Sequence, residues 1–181
     1  MLTPALLRWL ASEDARAELH ALTASPPDDA QLLTTLTRLR KRFSPEQAAA
    51  LVELARLRQR AETKFPGRAR AMFFEREALE QASPAVVAAW TARRFARFAR
   101  VADLGCGLGG DTLALAEAGC RVAAVDRRAL AVSLAASNAR AWGLDARVHP
   151  VRADVTRPAW EVEAAWADPG RREGGRRVFH P

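Results

Sequence analysis

From Val101 onward, apolar runs alternate with helical patterns, and this alternation narrows most sharply what the chain can fold into. "RVADLG" is a short apolar run, "DTLALAEAG" has helical spacing with a stop at Gly119, and "RVAAVD" is a second run ending in Asp126. "RALAVSLAASNARAWG" reads as a second helix ending at Gly143, "ARVHPVRAD" as a third strand and "EAAWADP" as a fourth. Strand and helix repeated in this order predict a parallel sheet with right-handed crossovers. In such sheets ligands bind beyond the carboxyl ends of the strands. Asp103, Asp126, Asp154 and Asp168 each stand near one of those ends, so the pattern predicts four carboxylates along one rim.

Between the first run and the first helix of this half lies "ADLGCGLGGDT". Its glycines let the backbone turn tightly and approach a ligand, and the helix that follows offers unpaired N–H groups. Two spacings fit. Gly105, Gly107 and Gly110 match G-x-G-x-x-G of dinucleotide sites, while Asp103, Gly105, Gly107 and Gly109 match D-x-G-x-G-x-G of S-adenosylmethionine (SAM) sites. An acid before the first glycine sets negative charge against a pyrophosphate, whereas SAM carries an ammonium and a sulfonium that Asp103 would attract. Asp126 is placed to accept hydrogen bonds from ribose hydroxyls in either cofactor.

The first half reads as helices with Ser/Thr-Pro starts at Thr3-Pro4, Ser25-Pro26, Ser44-Pro45 and Ser83-Pro84, where a hydroxyl caps free N–H groups ahead of a proline. Leu32, Leu33, Leu36 and Leu39 recur at helical spacing, and Ser44 with Gln47 forms a capping-box pattern. The expected product is a helical bundle over residues 1–63. A break at Lys64-Phe65-Pro66-Gly67 opens a linker and leading helix over 64–99, running from Ser83-Pro84 through Val86, Val87 and Trp90 to Phe98. On it Arg93, Arg97 and Arg100 share one side and Phe95 and Phe98 another. That pattern suits a basic face for RNA phosphates, or equally a helix with aromatics on the core and arginines in water.

The 181 residues, 49% of them apolar, suffice for a core. No long uncharged apolar run and no signal-peptide pattern occurs, which predicts a cytoplasmic protein without membrane contact. Cys106 and Cys120 form no C-x-x-C pair and no ligand cluster with the three histidines, so neither a disulfide nor a metal site is expected. The net charge of +7 suits RNA as a partner, and an arginine-rich solvated surface equally well.

Over Ser83 to about Val178 the sequence resembles the class I SAM-dependent methyltransferases. "DLGCGLGGDT" looks like their first motif, Asp126 like the acid that holds the ribose, and Asp154 like the residue that meets the adenine amine. "NARAWGL" is similar to a helix ending in many RNA and DNA methyltransferases. "FFEREALEQASP" ahead of "DLGCGLGGDT" resembles the trimethylguanosine-synthase-like RNA methylases and the bacterial group with a THUMP-like extension.

The resemblance implies SAM as cofactor, held by Asp103, Gly105, Gly107, Gly109, Asp111, Asp126 and Asp154. It places Asp168-Pro169 at the fourth motif, as the catalytic pair that would orient a target amine. Amine-methylating relatives carry an aromatic after this pair, whereas here Gly170, Arg171 and Arg172 follow; the two arginines are candidates for stacking on a base or gripping phosphate. Turn chemistry at Asp168-Pro169-Gly170 is the alternative reading. The resemblance also puts Glu77, Gln81 and Ser83 near the methionine end of SAM, with Phe74 and Glu77 as substrate-side candidates. The residues alone show Phe73, Phe74 and Leu79 anchoring a linker and Ser83 capping a helix. Asp111 and Thr112 stand in the first turn after the glycine loop, as caps or as contacts to the methionine end.

The expectation is therefore an α/β chain: a helical bundle followed, over 100–181, by an incomplete Rossmann-like methyltransferase sheet, truncated at its C-terminus. Its function would be direct in-line methyl transfer, with RNA as substrate. A homodimer through the open sheet edge is a further expectation. An RNA-binding module without turnover and an NAD-dependent oxidoreductase are the rival readings. The second is disfavoured by Asp103 and by the absence of tyrosine.

Overall fold

The computed structural model describes residues 2–156 and 161–168, together with the backbone of 172–173 and 176–177. Four helices come first: α1 (Pro4–Leu10), α2 (Glu13–Ala24), α3 (Asp29–Leu39) and α4 (Pro45–Ala61). Helix α4 is the hub, packed on the other three, with Leu51, Val52, Leu54, Ala55 and Leu57 all buried.

The starts of these helices follow the expected chemistry in two cases. The Thr3 hydroxyl accepts the Leu6 N–H at 3.2 Å, and Ser44 and Gln47 cap each other reciprocally. Ser25 does not cap a helix start. It follows α2 as its C-terminal cap, and Asp28 with Gln31 forms the capping box of α3 instead. A carboxylate closer to the first turn supplies the acceptor that the serine was expected to provide.

The segment from Lys64 to Glu75 packs as a strap. Phe65, Met72, Phe73 and Phe74 are buried and belong to one continuous core with α4 and the sheet. A single 3₁₀ turn (Ala69–Ala71) leads to the short α5 (Arg76–Gln81) and to α6 (Ala85–Arg93). Lys64 locks this region, its ammonium donating to the carbonyls of Leu79, Glu80 and Ala82 at 2.8, 2.9 and 2.7 Å. A cation at the end of α5 satisfies carbonyls that the helix leaves unpaired.

Helix α6 differs from expectation at both ends. Pro84 stands at its cap position with no side-chain cap bond, so Ser83 does not cap it. It ends at Arg93, before Phe95 and Phe98, which fold back in turns onto the core. Arg93, Arg97 and Arg100 are exposed, and the Arg97 guanidinium lies 4.8 Å over the Phe98 ring.

The second half is β1 (Arg100–Leu104), α7 (Gly110–Glu117), β2 (Arg121–Asp126), α8 (Ala129–Ala141), β3 (Val148–Arg152) and β4 (Ala164–Ala167). All pairings are parallel, in the order β3-β2-β1-β4. Pro150, which lacks an N–H, is tolerated because β3 is an edge strand. The order reverses at β1, whose neighbours are β2 and β4, and the crevice of an open parallel sheet forms at such a point. A two-residue antiparallel pair, β5 (Arg172–Glu173) with β6 (Arg176–Arg177), lies apart from this sheet and was not foreseen. No helix among the described residues is long and apolar enough to cross a membrane.

Candidate functional site

The glycine loop is anchored at both ends by backbone. The Val125 carbonyl accepts the N–H groups of Gly105 and Cys106 at 2.8 and 2.9 Å, and Cys106 in turn accepts that of Gly109 at 2.8 Å. Gly105, Gly107 and Gly109 have φ of 86°, 55° and 91°. At Gly109 a Cβ would also come within 3.0 Å of the Ala135 backbone on α8. Gly110, by contrast, begins α7 with no such demand, and a Cβ there would make only ordinary contact with Phe65. The third obligatory glycine is therefore Gly109, which fits the D-x-G-x-G-x-G reading and not the dinucleotide spacing.

Four carboxylates surround this loop and the helix behind it. Asp103, on β1 opposite Ala124 and Trp166, is 3% exposed and accepts a hydrogen bond from the Thr112 hydroxyl. Burial raises its pKa to about 7, with the Thr112 bond opposing the shift and the charges of Asp111 and Asp126 adding to it. Thr112 thus serves Asp103 and makes no cap bond to α7.

Asp126, at the end of β2, accepts the Gly107 N–H on one oxygen at 3.2 Å and the Arg128 N–H on the other at 2.8 Å. Asp111 lies half-buried in the first turn of α7. Burial pushes its pKa up, the charge of Asp168 pushes it further, and the Trp166 indole opposes. Asp168 is exposed just past β4. Near the carboxyl ends of β1, β2 and β4, Asp103 thus feels the charges of Asp111 and Asp126, and Asp111 that of Asp168. The upward shifts of Asp103 and Asp111 come first from burial and then from neighbouring carboxylate charge, and a site lined by such acids attracts a cationic ligand and repels a pyrophosphate.

Asp154 is exposed beyond β3 and accepts from the Thr156 N–H and hydroxyl at 2.9 and 2.8 Å. Glu77 is exposed on α5 and takes a bond from Gln81 at 3.3 Å. Phe74 must be corrected as a substrate contact: it is 2% exposed and packs on Phe65 with ring centroids 5.9 Å apart. An aromatic in a strap that crosses the core gains more by burial than by waiting at a surface. Pro169 and Arg171 lie outside the described residues, and Arg172 is described only as backbone of β5. Both cysteines are buried and free. Among the described residues no group of three His, Cys, Asp or Glu side chains is placed to hold a metal.

Asn138 is the positioning residue that the sequence reading did not single out. Fully buried on α8, it accepts the Phe73 N–H and donates to the carbonyls of Phe73 and Leu108. It thereby ties the strap to the glycine loop. The available signal was one amide on the otherwise apolar face of a helix.

Comparison with known proteins agrees with this geometry. Residues 101–167 match the family model of a methyltransferase domain, and residues 3–61 match that of a domain of unknown function. Two uncharacterized S-adenosylmethionine-dependent methyltransferases of Mycobacterium tuberculosis, from strains CDC 1551 and H37Rv, are each 36% identical over 148 residues. The match takes in 78% of this chain, which spans 40% of the length of those relatives. A crystal structure from Porphyromonas gingivalis W83, provisionally named a methyltransferase, superposes with a TM-score of 0.50 at 23% identity, over 64% of this chain and 33% of that one. It shares the fold. With its sheet order, its glycine loop and these relatives, residues 101–167 carry a methyltransferase domain of the class I S-adenosylmethionine-dependent kind.

Proposed function

We propose that the protein transfers the methyl group of SAM to RNA. The observation that carries the cofactor part is the group of carboxylates, Asp103, Asp111, Asp126 and Asp168, around a loop whose backbone requires Gly105, Gly107 and Gly109. In this reading Asp126 exchanges the loop and Arg128 N–H groups for ribose hydroxyls, Asp154 meets the adenine amine, and Asp111 faces the ammonium. Asp103 acts from beneath, through Thr112 and the charge it adds to the rim.

When bound, SAM supplies a methyl group made electrophilic by the adjacent sulfonium. The chain's own contribution is proximity, alignment and charge. Asp168, exposed at the end of β4, would accept a hydrogen bond from an incoming amine and so hold its lone pair toward the methyl. Pro169 would act with it at the fourth-motif position, and Arg171 and Arg172 would contact the base or its phosphate.

RNA as the acceptor is supported by the net charge of +7 and by the likeness of "FFEREALEQASP" to the trimethylguanosine-synthase-like and THUMP-extended methylases. The exposed Arg100 opens β1, at the opposite end of the strand from the rim, so it is not an arginine that would meet the reacting base. Among the described strands β4 pairs only with β1, and we include a second copy of the chain along its other edge as a partner. Sedimentation showing a monomer at every concentration would reject that part. The test of the whole is transfer of radiolabelled methyl from SAM into cellular RNA: label that ribonuclease removes supports the proposal, and label found only in protein or small molecules overturns it.

A further inference from the structure

The helical half holds a cleft of its own. A cavity of about 410 Å³ opens between α1, α2, α4 and the strap at Arg70 to Phe73, within the size range of small-ligand sites. Leu19 and Phe73 contribute to its apolar wall, its charged or ionisable lining is Arg16, His20, Arg58 and Arg70, and no carboxylate lines it.

Arg58 is the unusual member. It lies in the last turn of α4 and is 7% exposed, yet among the described residues no carboxylate pairs with it. Its partners are neutral: Nε donates to the Met72 carbonyl at 2.8 Å, Nη1 to the Thr23 hydroxyl at 3.1 Å, and the guanidinium lies 5.4 Å over the Phe73 ring. No bond to Nη2 occurs among the described residues. Burial lowers its pKa to about 10, so the group is still a cation at neutral pH. A buried cation without a counter-charge is costly, and removing it would leave the Met72 carbonyl without its donor. Arg70, on the 3₁₀ turn, is exposed beside the same cavity, and Arg16 is held only by a long, exposed contact to Glu13 at 3.5 Å. Three arginines thus line one apolar-walled space that no carboxylate lines, and of the three only Arg16 has an acidic partner among the described residues, outside the lining.

We propose that this cleft binds a phosphate group carried by a nucleotide or an RNA strand, with Arg58 as its buried anchor and Arg16 and Arg70 closing on the anion. Guanidinium forks match phosphate geometry, and the apolar wall beside Phe73 suits the flat face of a base. This site is separate from the acidic rim and does not depend on methyl transfer. Phe73 connects the two regions, lining the cleft with its ring while Asn138 holds its backbone against the glycine loop.

The test is an amide-resolved NMR titration of the isotopically labelled 181-residue chain with inorganic phosphate, AMP, adenosine and a ten-residue oligouridylate lacking a terminal phosphate. The expected result is that AMP shifts the amides of Arg70, Ala71 and Phe73 while adenosine does not. The double substitution Arg16→Gln with Arg70→Gln, at two exposed positions, should weaken AMP at least about tenfold with an unchanged thermal midpoint. Arg58→Lys, which keeps the charge and loses the fork, should weaken it as well. Oligouridylate shifting the same amides assigns the site to strand phosphates, and AMP alone shifting them assigns it to a terminal phosphate. Unmoved amides with every probe, or equal affinity in the folded double variant, overturns the proposal. Adenosine carries the ribose and adenine that the glycine-loop site would hold, so shifts common to adenosine and AMP belong to that site, and only shifts specific to the phosphate-bearing probes count for the cleft, which keeps its failure distinct from failure of the SAM reading.

Discussion

Asn138 satisfies both backbone groups of Phe73 at once, accepting its N–H at 2.7 Å and donating to its carbonyl at 3.0 Å, across 65 positions of sequence. The same amide donates to Leu108 at 2.8 Å, inside the glycine loop. One side chain therefore fixes the distance between the helical half and the loop.

Replacing Asn138 with Ala leaves three buried backbone groups without partners. The expected cost is about 3 kcal/mol of folding stability, read as a lower urea midpoint. Asn138→Asp keeps the acceptor for Phe73 but turns a charge toward two carbonyls, so it should be at least as damaging at neutral pH. Wild-type stability in either variant would remove the clamp from this account.

Gly109 and Gly110 are adjacent and should respond oppositely to Ala. At Gly109 the positive φ and the approach to Ala135 predict a loss of about 2 kcal/mol or more and a displaced loop. At Gly110, already helical and facing open contact with Phe65, Ala should be neutral or stabilising by up to about 1 kcal/mol. Thermal denaturation of the two variants side by side distinguishes them.

Asp103 carries a pH signature. Its folded pKa, about 7, lies above its ordinary value of 3.8 because burial disfavours the charge. A carboxyl raised in this way supports folding fully below the ordinary value and loses that support as pH rises through about 7. Wild-type protein should therefore lose stability across this window, on the order of 4 kcal/mol, relative to Asp103→Asn, which imitates the protonated acid and still accepts from Thr112. Urea midpoints at pH 4 and pH 8 measure the difference. Parallel pH profiles for the two proteins would contradict the assignment.

The sheet was legible because buried parallel strands read as short apolar runs and their crossovers as helices between glycine stops. Asp103, Asp126 and Asp168 could be placed near strand ends for the same reason. What sequence could not show was choice among neighbours. Asp28 outcompetes Ser25 for the α3 cap, Pro84 takes the cap position of α6 without a side-chain bond, and Phe74 turns into the core because the strap crosses it. Asn138 and Lys64 were missed because their partners are backbone atoms distant in sequence or gathered by a turn, and periodicity carries no record of these.

The central claim is that the acidic rim and glycine loop hold SAM. It is tested most directly by calorimetric titration of the chain and of its Asp126→Ala variant with SAM, with NAD as control. SAM should bind and NAD should not, and the variant should lose about 1–3 kcal/mol of binding free energy with its ribose hydrogen bonds. Equal SAM affinity in a folded Asp126→Ala protein, or binding of NAD in place of SAM, would contradict it.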